Sequence, residues 1–208
     1  MILREYQKES LDKITQAAAD GHRRILSQMP TGAGKGVIAA HIAIHAIKNG
    51  KRVLFLGHRR EIVWQFAERM RGMGIEYGLM MGDEPHDPTL PMQIISIQSL
   101  YTKALKRKSA DVPKADLVIV DEFHHGPSAS WDRIMGLYPE SHILGFSATP
   151  INNNGVGLGA CVDKLLVGPS ITELTKEKWL VPVRYFVPSL PDLDGLRIRA
   201  GDYVGAEI

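Results

Sequence analysis

Three short stretches carry residue types whose order and spacing suit phosphate chemistry. Pro30-Thr31-Gly32-Ala33-Gly34-Lys35 falls between a predicted strand and a predicted helix. Glycines there let backbone amides turn toward an anion, and a helix start adds unsatisfied N–H groups with partial positive charge. Lys35 then supplies a point charge for the β- and γ-phosphates of a nucleoside triphosphate. Farther along, Asp121 and Glu122 close the apolar run Leu117 to Val120, with His124 and His125 behind them. Asp121 is suited to hold Mg²⁺, directly or through water, and Glu122 to orient and deprotonate a water aimed at the γ-phosphate. No cysteine or carboxylate framework accompanies the two histidines, so a zinc site is not expected. The third stretch is Ser147-Ala148-Thr149 after Gly145-Phe146, a turn with two hydroxyls that follows a predicted strand.

The phosphate loop departs from the general pattern of Gly, four residues, Gly-Lys-Ser/Thr at both ends. Met29 stands at the first glycine and Gly36 at the hydroxyl position. Gly36 removes the side chain that ordinarily coordinates Mg²⁺, a vacancy that water can fill because Mg²⁺ keeps several waters. Weaker binding of metal-nucleotide or slower hydrolysis is the expected consequence.

These stretches must be positioned by regular elements, and the sequence alternates strand-like with helix-like runs, the pattern of a parallel sheet covered by helices. A helix is predicted over Arg4 to Asp20, ending at Gly21, with apolar residues at Leu3, Tyr6, Leu11, Ile14 and Ala18. A strand follows at Arg24 to Gln28, a helix at Lys35 to Asn49, a strand at Arg52 to Leu56 and a helix at Arg60 to Arg71. Strands are predicted at Glu76 to Met81, Met92 to Ile97, Leu117 to Val120 and His142 to Phe146, and helices at Tyr101 to Lys108 and Trp131 to Leu137. Gly82 to Pro91 and Asn152 to Gly159 read as loops. Ser170 with Glu173 forms a capping box that opens a helix to about Lys178, and Val181 to Val187, crossed by two prolines, reads as an edge strand or an exit linker. Lys103, Lys106, Arg107 and Lys108 read as a solvated basic face, with an auxiliary nucleic-acid backbone contact as the alternative. Trp64, Trp131 and Trp179 fall at helix-like positions and are expected to anchor the core rather than stack on bases.

Composition agrees with a globular chain. Of 208 residues, 44% are hydrophobic and 23% charged, and 25 basic against 23 acidic residues leave a net charge of +2. That excludes disordered and collagen-like classes and a polybasic tail. No apolar run approaches the roughly 18 residues of a membrane span, and the first residues lack the apolar core of a secretory leader. The single cysteine, Cys161, fits a reducing cytoplasm and reads as a buried, inert thiol.

Taken together, the motifs resemble the first RecA-like lobe of a superfamily 2 helicase or translocase of the DEAD/DEAH-box (DExH) class. Pro30 to Lys35 is similar to that family's motif I, Asp121-Glu122-Phe123-His124 to its motif II, and Ser147-Ala148-Thr149 to its motif III. The likeness extends from Arg4 to about Phe186 and is of the phage and bacterial type. It implies an α/β fold, a phosphate-loop NTPase lobe with a mostly parallel central sheet and helices on both faces. It implies ATP and Mg²⁺ as ligands and a lobe over residues 1–187, with 188–208 leading to a second lobe.

The resemblance also assigns residues. Gln7 would pair with adenine and Arg4 would support the base. Pro30, Thr31, Gly32, Ala33, Gly34, Lys35 and Gly36 would hold the phosphates. Gly57-His58-Arg59-Arg60-Glu61 is similar to motif Ia, so His58, Arg59 and Arg60 would touch a DNA or RNA backbone without reading sequence. Gln98 and Ser99 occupy the place of another backbone-contacting element, or of a helix cap. His124 would link the nucleotide site to the second lobe, and Ser147 and Thr149 would couple phosphate state to nucleic-acid binding.

In this family a second lobe, in cis or on a partner protein, supplies arginines worth roughly 10³ to 10⁵ in rate. No Gln-x-x-Gly-Arg-x-x-Arg stretch follows Thr149, so little hydrolysis is expected from this chain alone. The rival expectation is a degenerate, non-enzymatic nucleotide-binding or assembly module. A bacterial or phage-infected host cytoplasm is the expected compartment.

Overall fold

The computed structural model describes residues 2–81, 86–106, 112–125, 133–152, 155–184, 198–199 and 202–203. Helix α1 (Glu5–Ala19) leads into strand β1 (Arg24–Gln28), α2 (Lys35–Lys48), β2 (Val53–Gly57), α3 (Arg60–Gly72), β3 (Gly78–Met80) and β4 (Met92–Ser96). Then come α4 (Ile97–Leu100), which runs on as a π-turn over Tyr101–Lys106, β5 (Leu117–Val120), β6 (His142–Ser147), β7 (Lys164–Val167) and α5 (Ile171–Lys176). The seven strands form one sheet in the order β3-β4-β2-β5-β6-β1-β7, and every pair is parallel.

Alternation along the strands divides the core into two layers. Ile25, Phe55, Ile94, Ile119 and Phe146 face α1, α2, α3 and α5. Leu26, Leu54, Leu56, Ile95, Val118 and Val120 face Leu100, Phe123, Ile134 and Tyr138 on the other side. Helix α3 docks through Val63, Phe66, Ala67 and Met70, an i, i+3, i+4, i+7 stripe. Phe66 stacks on Phe55 at 3.7 Å between centroids, a contact worth about 0.5–1.5 kcal/mol beyond its buried area.

Several expectations need correction. The strand stops at Ser96, because the Ser96 hydroxyl accepts the Ser99 N–H at 3.1 Å and starts a helix at Ile97. The cap is therefore Ser96, not Gln98 or Ser99. Strand β7 was not expected: Lys164 to Val167 is a short, largely exposed edge strand without alternation, paired only with β1. Residues 181–184 carry no strand. Trp64 and Trp179 are 36% and 42% exposed rather than core anchors: α3 turns Val63 and Phe66 inward in place of Trp64, and Trp179 lies on the turn after α5. Cys161 is half-buried against the second core layer.

Some expectations fall on undescribed residues. Trp131, Arg107 and Lys108 lie outside the described residues, as do parts of the loops over 82–91 and 152–159 and of the helix expected over 131–137, of which residues 133–135 are helical. Of 188–208, the described part is a two-residue antiparallel pair, Ile198–Arg199 with Asp202–Tyr203.

Candidate functional site

Because the seven strands of the central sheet run the same way, their C-terminal ends share one edge, where ligands of open parallel sheets bind. Apart from Arg4 and Gln7 at the start of α1, the predicted site residues follow strands at this edge: residues 30–36 after β1, His58 to Arg60 after β2, Gln98 and Ser99 after β4, Asp121 to His124 after β5, and Ser147 to Thr149 in and after β6.

The phosphate loop leaves β1 through the fully buried Met29 and turns twice through left-handed glycines, Gly32 at φ 83° and Gly34 at φ 84°. Gly34 is the residue before α2, and the Gln7 amide lies where a Cβ at this position would project. Glycine is thus required by conformation and by space. Pro30 is half-buried and Thr31 exposed, while Ala33 is buried and its carbonyl accepts from the Tyr6 hydroxyl and from Gln7 Nε2, both at 3.0 Å. Gln7 Oε1 accepts the Arg4 N–H at 3.0 Å. Gln7 is therefore buried against the loop, while Arg4 is exposed. Lys35 is 9% exposed, with Nζ donating to the Met29 carbonyl at 3.4 Å.

The carboxylates come from β5, between β2 and β6. The Asp121 N–H still donates to Leu56 O at 3.0 Å, and the chain then turns sharply at Glu122, a non-glycine residue at φ 52°. Phe123 anchors the turn: its side chain packs on Gly145, where a Cβ would come as close as 2.5 Å to the ring. Burial and the neighbouring Glu122 charge push the Asp121 carboxyl above its usual range, while Lys35 pulls it down. A half-buried carboxylate beside a second carboxylate is a fit for a divalent cation.

Beyond them, His124 Nδ1 lies 2.9 Å from the Ser147 hydroxyl and 3.3 Å from Glu122 Oε2. The Ser147 hydroxyl donates to Thr149 O at 2.6 Å and accepts the Thr149 N–H at 3.2 Å. Glu122, His124, Ser147 and Thr149 thus form one continuous network within this lobe.

Thr31, Gly32, Gly34, Lys35, Gly36, Asp121 and Glu122 line a common cleft of about 330 Å³. Helix α3 closes it with Ile62, Gln65, Phe66 and Arg69, which motif reasoning missed. Gln65 and Arg69 share a helix face by their i, i+4 spacing, but nothing in the sequence places that face on the loop. Arg69 lies 3.9 Å from where a side chain on Gly36 would begin. Along the edge, His58 is half-buried and Arg59 and Arg60 are exposed at the start of α3. Gln98 Nε2 donates to His58 O at 2.9 Å, which joins the two backbone-contacting candidates into one surface.

Comparison with known proteins gives a family. The model for "Type III restriction enzyme, res subunit" matches residues 1–152. A 51.5 kDa protein of a Lactococcus phage (isolate 7-9) is 33% identical over 182 residues, covering 87% of this chain and 36% of that one. The putative ATP-dependent helicase IRC3 of Saccharomyces cerevisiae is 24% identical over 216 residues, covering 97% and 31%. Among solved structures, the UvsW helicase from bacteriophage T4 superposes with a TM-score of 0.63 at 16% identity, covering 80% of this chain and 60% of that one. The chain spans about a third of the length of the curated relatives it matches.

Proposed function

We propose that this chain, which belongs to the Type III restriction enzyme res subunit family and has the fold of a first RecA-like lobe, is the ATP-binding lobe of a nucleic-acid-dependent helicase or translocase. The observation that carries this reading is the single cleft shared by Lys35, Asp121 and Glu122, with His124 and Ser147 wired to its rim. Lys35 and the loop amides hold the phosphates. Asp121 would hold Mg²⁺, which when bound neutralises charge on the phosphate oxygens. Glu122 takes the proton of the attacking water, and its link to His124 passes the state of the site to Ser147 and Thr149. Arg4 and Gln7 would border the base, with the Gln7 amide already held by Ala33 O and the Arg4 N–H.

His58, Arg59, Arg60, Gln98 and Ser99 contact the backbone of DNA or RNA. Relatives named as a DNA 3'-5' translocase and as an exosome RNA helicase support nucleic acid as the class of partner. A second RecA-like lobe, in cis beyond 188–208 or on a partner protein, supplies the missing arginines. No helix among the described residues is long and apolar enough to cross a membrane, and the setting we assign is the cytoplasm of a bacterium or phage-infected host.

Gly36 favours one other reading, a non-enzymatic nucleotide-binding or assembly module. The deciding experiment joins this chain to a second lobe and measures hydrolysis with and without nucleic acid, for the chain as it stands and for Gly36→Thr. Stimulated hydrolysis that rises in Gly36→Thr and vanishes in Glu122→Gln is expected. No stimulation in either chain supports the module instead.

A further inference from the structure

We propose that Trp179, carried on the turn that leaves α5, is a base-stacking platform of the nucleotide site, so that the segment leading out of the lobe forms one wall of that site. The inference rests on the nucleotide-binding reading above and adds a residue to it.

The turn is built rigidly. After Glu177 the chain adopts a left-handed residue, Lys178 at φ 62°. Lys178 N donates to Thr175 O at 3.0 Å and Trp179 N to Leu174 O at 2.8 Å, the paired bonds of a Schellman motif. Leu180 N also donates to Leu174 O, at 3.1 Å, and Leu174 is fully buried in the core. A lysine in the conformation that glycine prefers is strained, so the surroundings impose this reversal.

The reversal places two side chains against the site. Leu180 covers the phosphate loop, with Cδ2 only 2.9 Å from where a Cβ on Gly32 would lie. The Trp179 ring is 6.1 Å from the Tyr6 ring, and the Arg4 guanidinium sits 4.7 Å from its centroid. Arg4 Nη1 donates to the Tyr6 hydroxyl at 3.2 Å, and that hydroxyl donates to Ala33 O of the loop. Trp179 therefore adjoins the phosphate loop through Tyr6 and touches Arg4 directly. With 42% of its surface open, the ring offers an apolar face beside hydrogen-bonding groups, the combination that a purine needs. Arg4 lies over one face of the ring, so a base would stack on the opposite face or on the outer side of the guanidinium, since guanidinium groups also stack on π-faces.

The test compares a ligand with a base and one without. In the full chain, binding of ADP and of inorganic tripolyphosphate is measured for the unchanged protein, Trp179→Ala, Trp179→Phe and Lys35→Ala. Trp179→Ala is expected to weaken ADP about tenfold, the size of one lost stacking partner, and to leave tripolyphosphate unchanged. Trp179→Phe is expected to recover most of the loss. Trp179→Ala that weakens neither ligand, or both equally, overturns the platform while leaving the phosphate site standing. If Lys35→Ala binds both ligands as the unchanged chain does, the nucleotide reading fails and takes the platform with it.

Discussion

Strand β5 carries an aspartate at each end, and the two live in opposite circumstances. Asp116, before the strand, accepts the Arg52 N–H at 2.8 Å and its guanidinium at 3.0 and 2.7 Å. Those bonds hold its carboxyl down at about 2. Asp121, after the strand, has its carboxyl pushed up by burial and by Glu122. The contrast extends along both edges of the sheet. At the N-terminal edge, Asp163 accepts the N–H groups of Arg23 and Arg24, and Arg23 pairs with Glu140. Polar groups there fasten strand starts. At the C-terminal edge, charge converges on a cleft at a cost in stability, as expected where a site must meet a charged ligand.

The largest effect that tests this contrast is chemical. With a second lobe present, Glu122→Gln should reduce hydrolysis by about 10²–10⁴-fold, the range for loss of a general base, with nucleotide binding and melting temperature nearly unchanged. A comparable loss from Asp116→Asn would break the distinction between the edges.

The next effect is on stability and has opposite signs at the two ends of β5. Asp116→Asn should destabilise the chain by about 1 kcal/mol, a figure held low because the pair is partly exposed. The Asp116 value lies below its ordinary 3.8, so its contribution is complete above about pH 4 and disappears as pH falls toward 2. Melting curves of the two proteins should therefore converge across that window. Asp121→Asn should instead raise the melting temperature at neutral pH, by about 2–4 °C per kcal/mol recovered. The raised Asp121 value means that its contribution is favourable in acid and is lost as pH climbs through that value. The gain should shrink on acidification. It should come with loss of any Mg²⁺ dependence of nucleotide binding.

The smallest effect concerns strain. Glu122 and Lys178 are the two non-glycine residues with left-handed backbone among those described. Lys178→Gly should stabilise by about 0.5–1 kcal/mol by denaturant titration, because the Schellman position favours glycine. Binding of tripolyphosphate should not change.

Much of this was legible in the sequence where chemistry demands particular residues. Gly32 and Gly34 stand where the backbone turns left-handed and Lys35 opens α2 beside them, and the run Leu117 to Val120 reads as a buried strand with Asp121 and Glu122 at its end. Local patterns also gave the capping box at Ser170 and Glu173, which the structure reproduces. Features set by long-range contact were not legible. β7 forms because β1 offers an open side, not because Lys164 to Val167 has a strand pattern. Trp179 reaches Tyr6 across nearly the whole chain. Arg69 reaches the cleft because α3 packs beside the phosphate loop.

The central claim is that the C-terminal edge is a phosphate site organised by Lys35 and Asp121. Calorimetric titration of the chain with a non-hydrolysable ATP analogue, with Mg²⁺ and with EDTA, tests it most directly beside Lys35→Ala. Binding that strengthens with Mg²⁺ and falls by about 10- to 100-fold in Lys35→Ala, the loss of a charged hydrogen bond, is the predicted result. Equal binding by both proteins, or none by a chain shown to be folded, would contradict it.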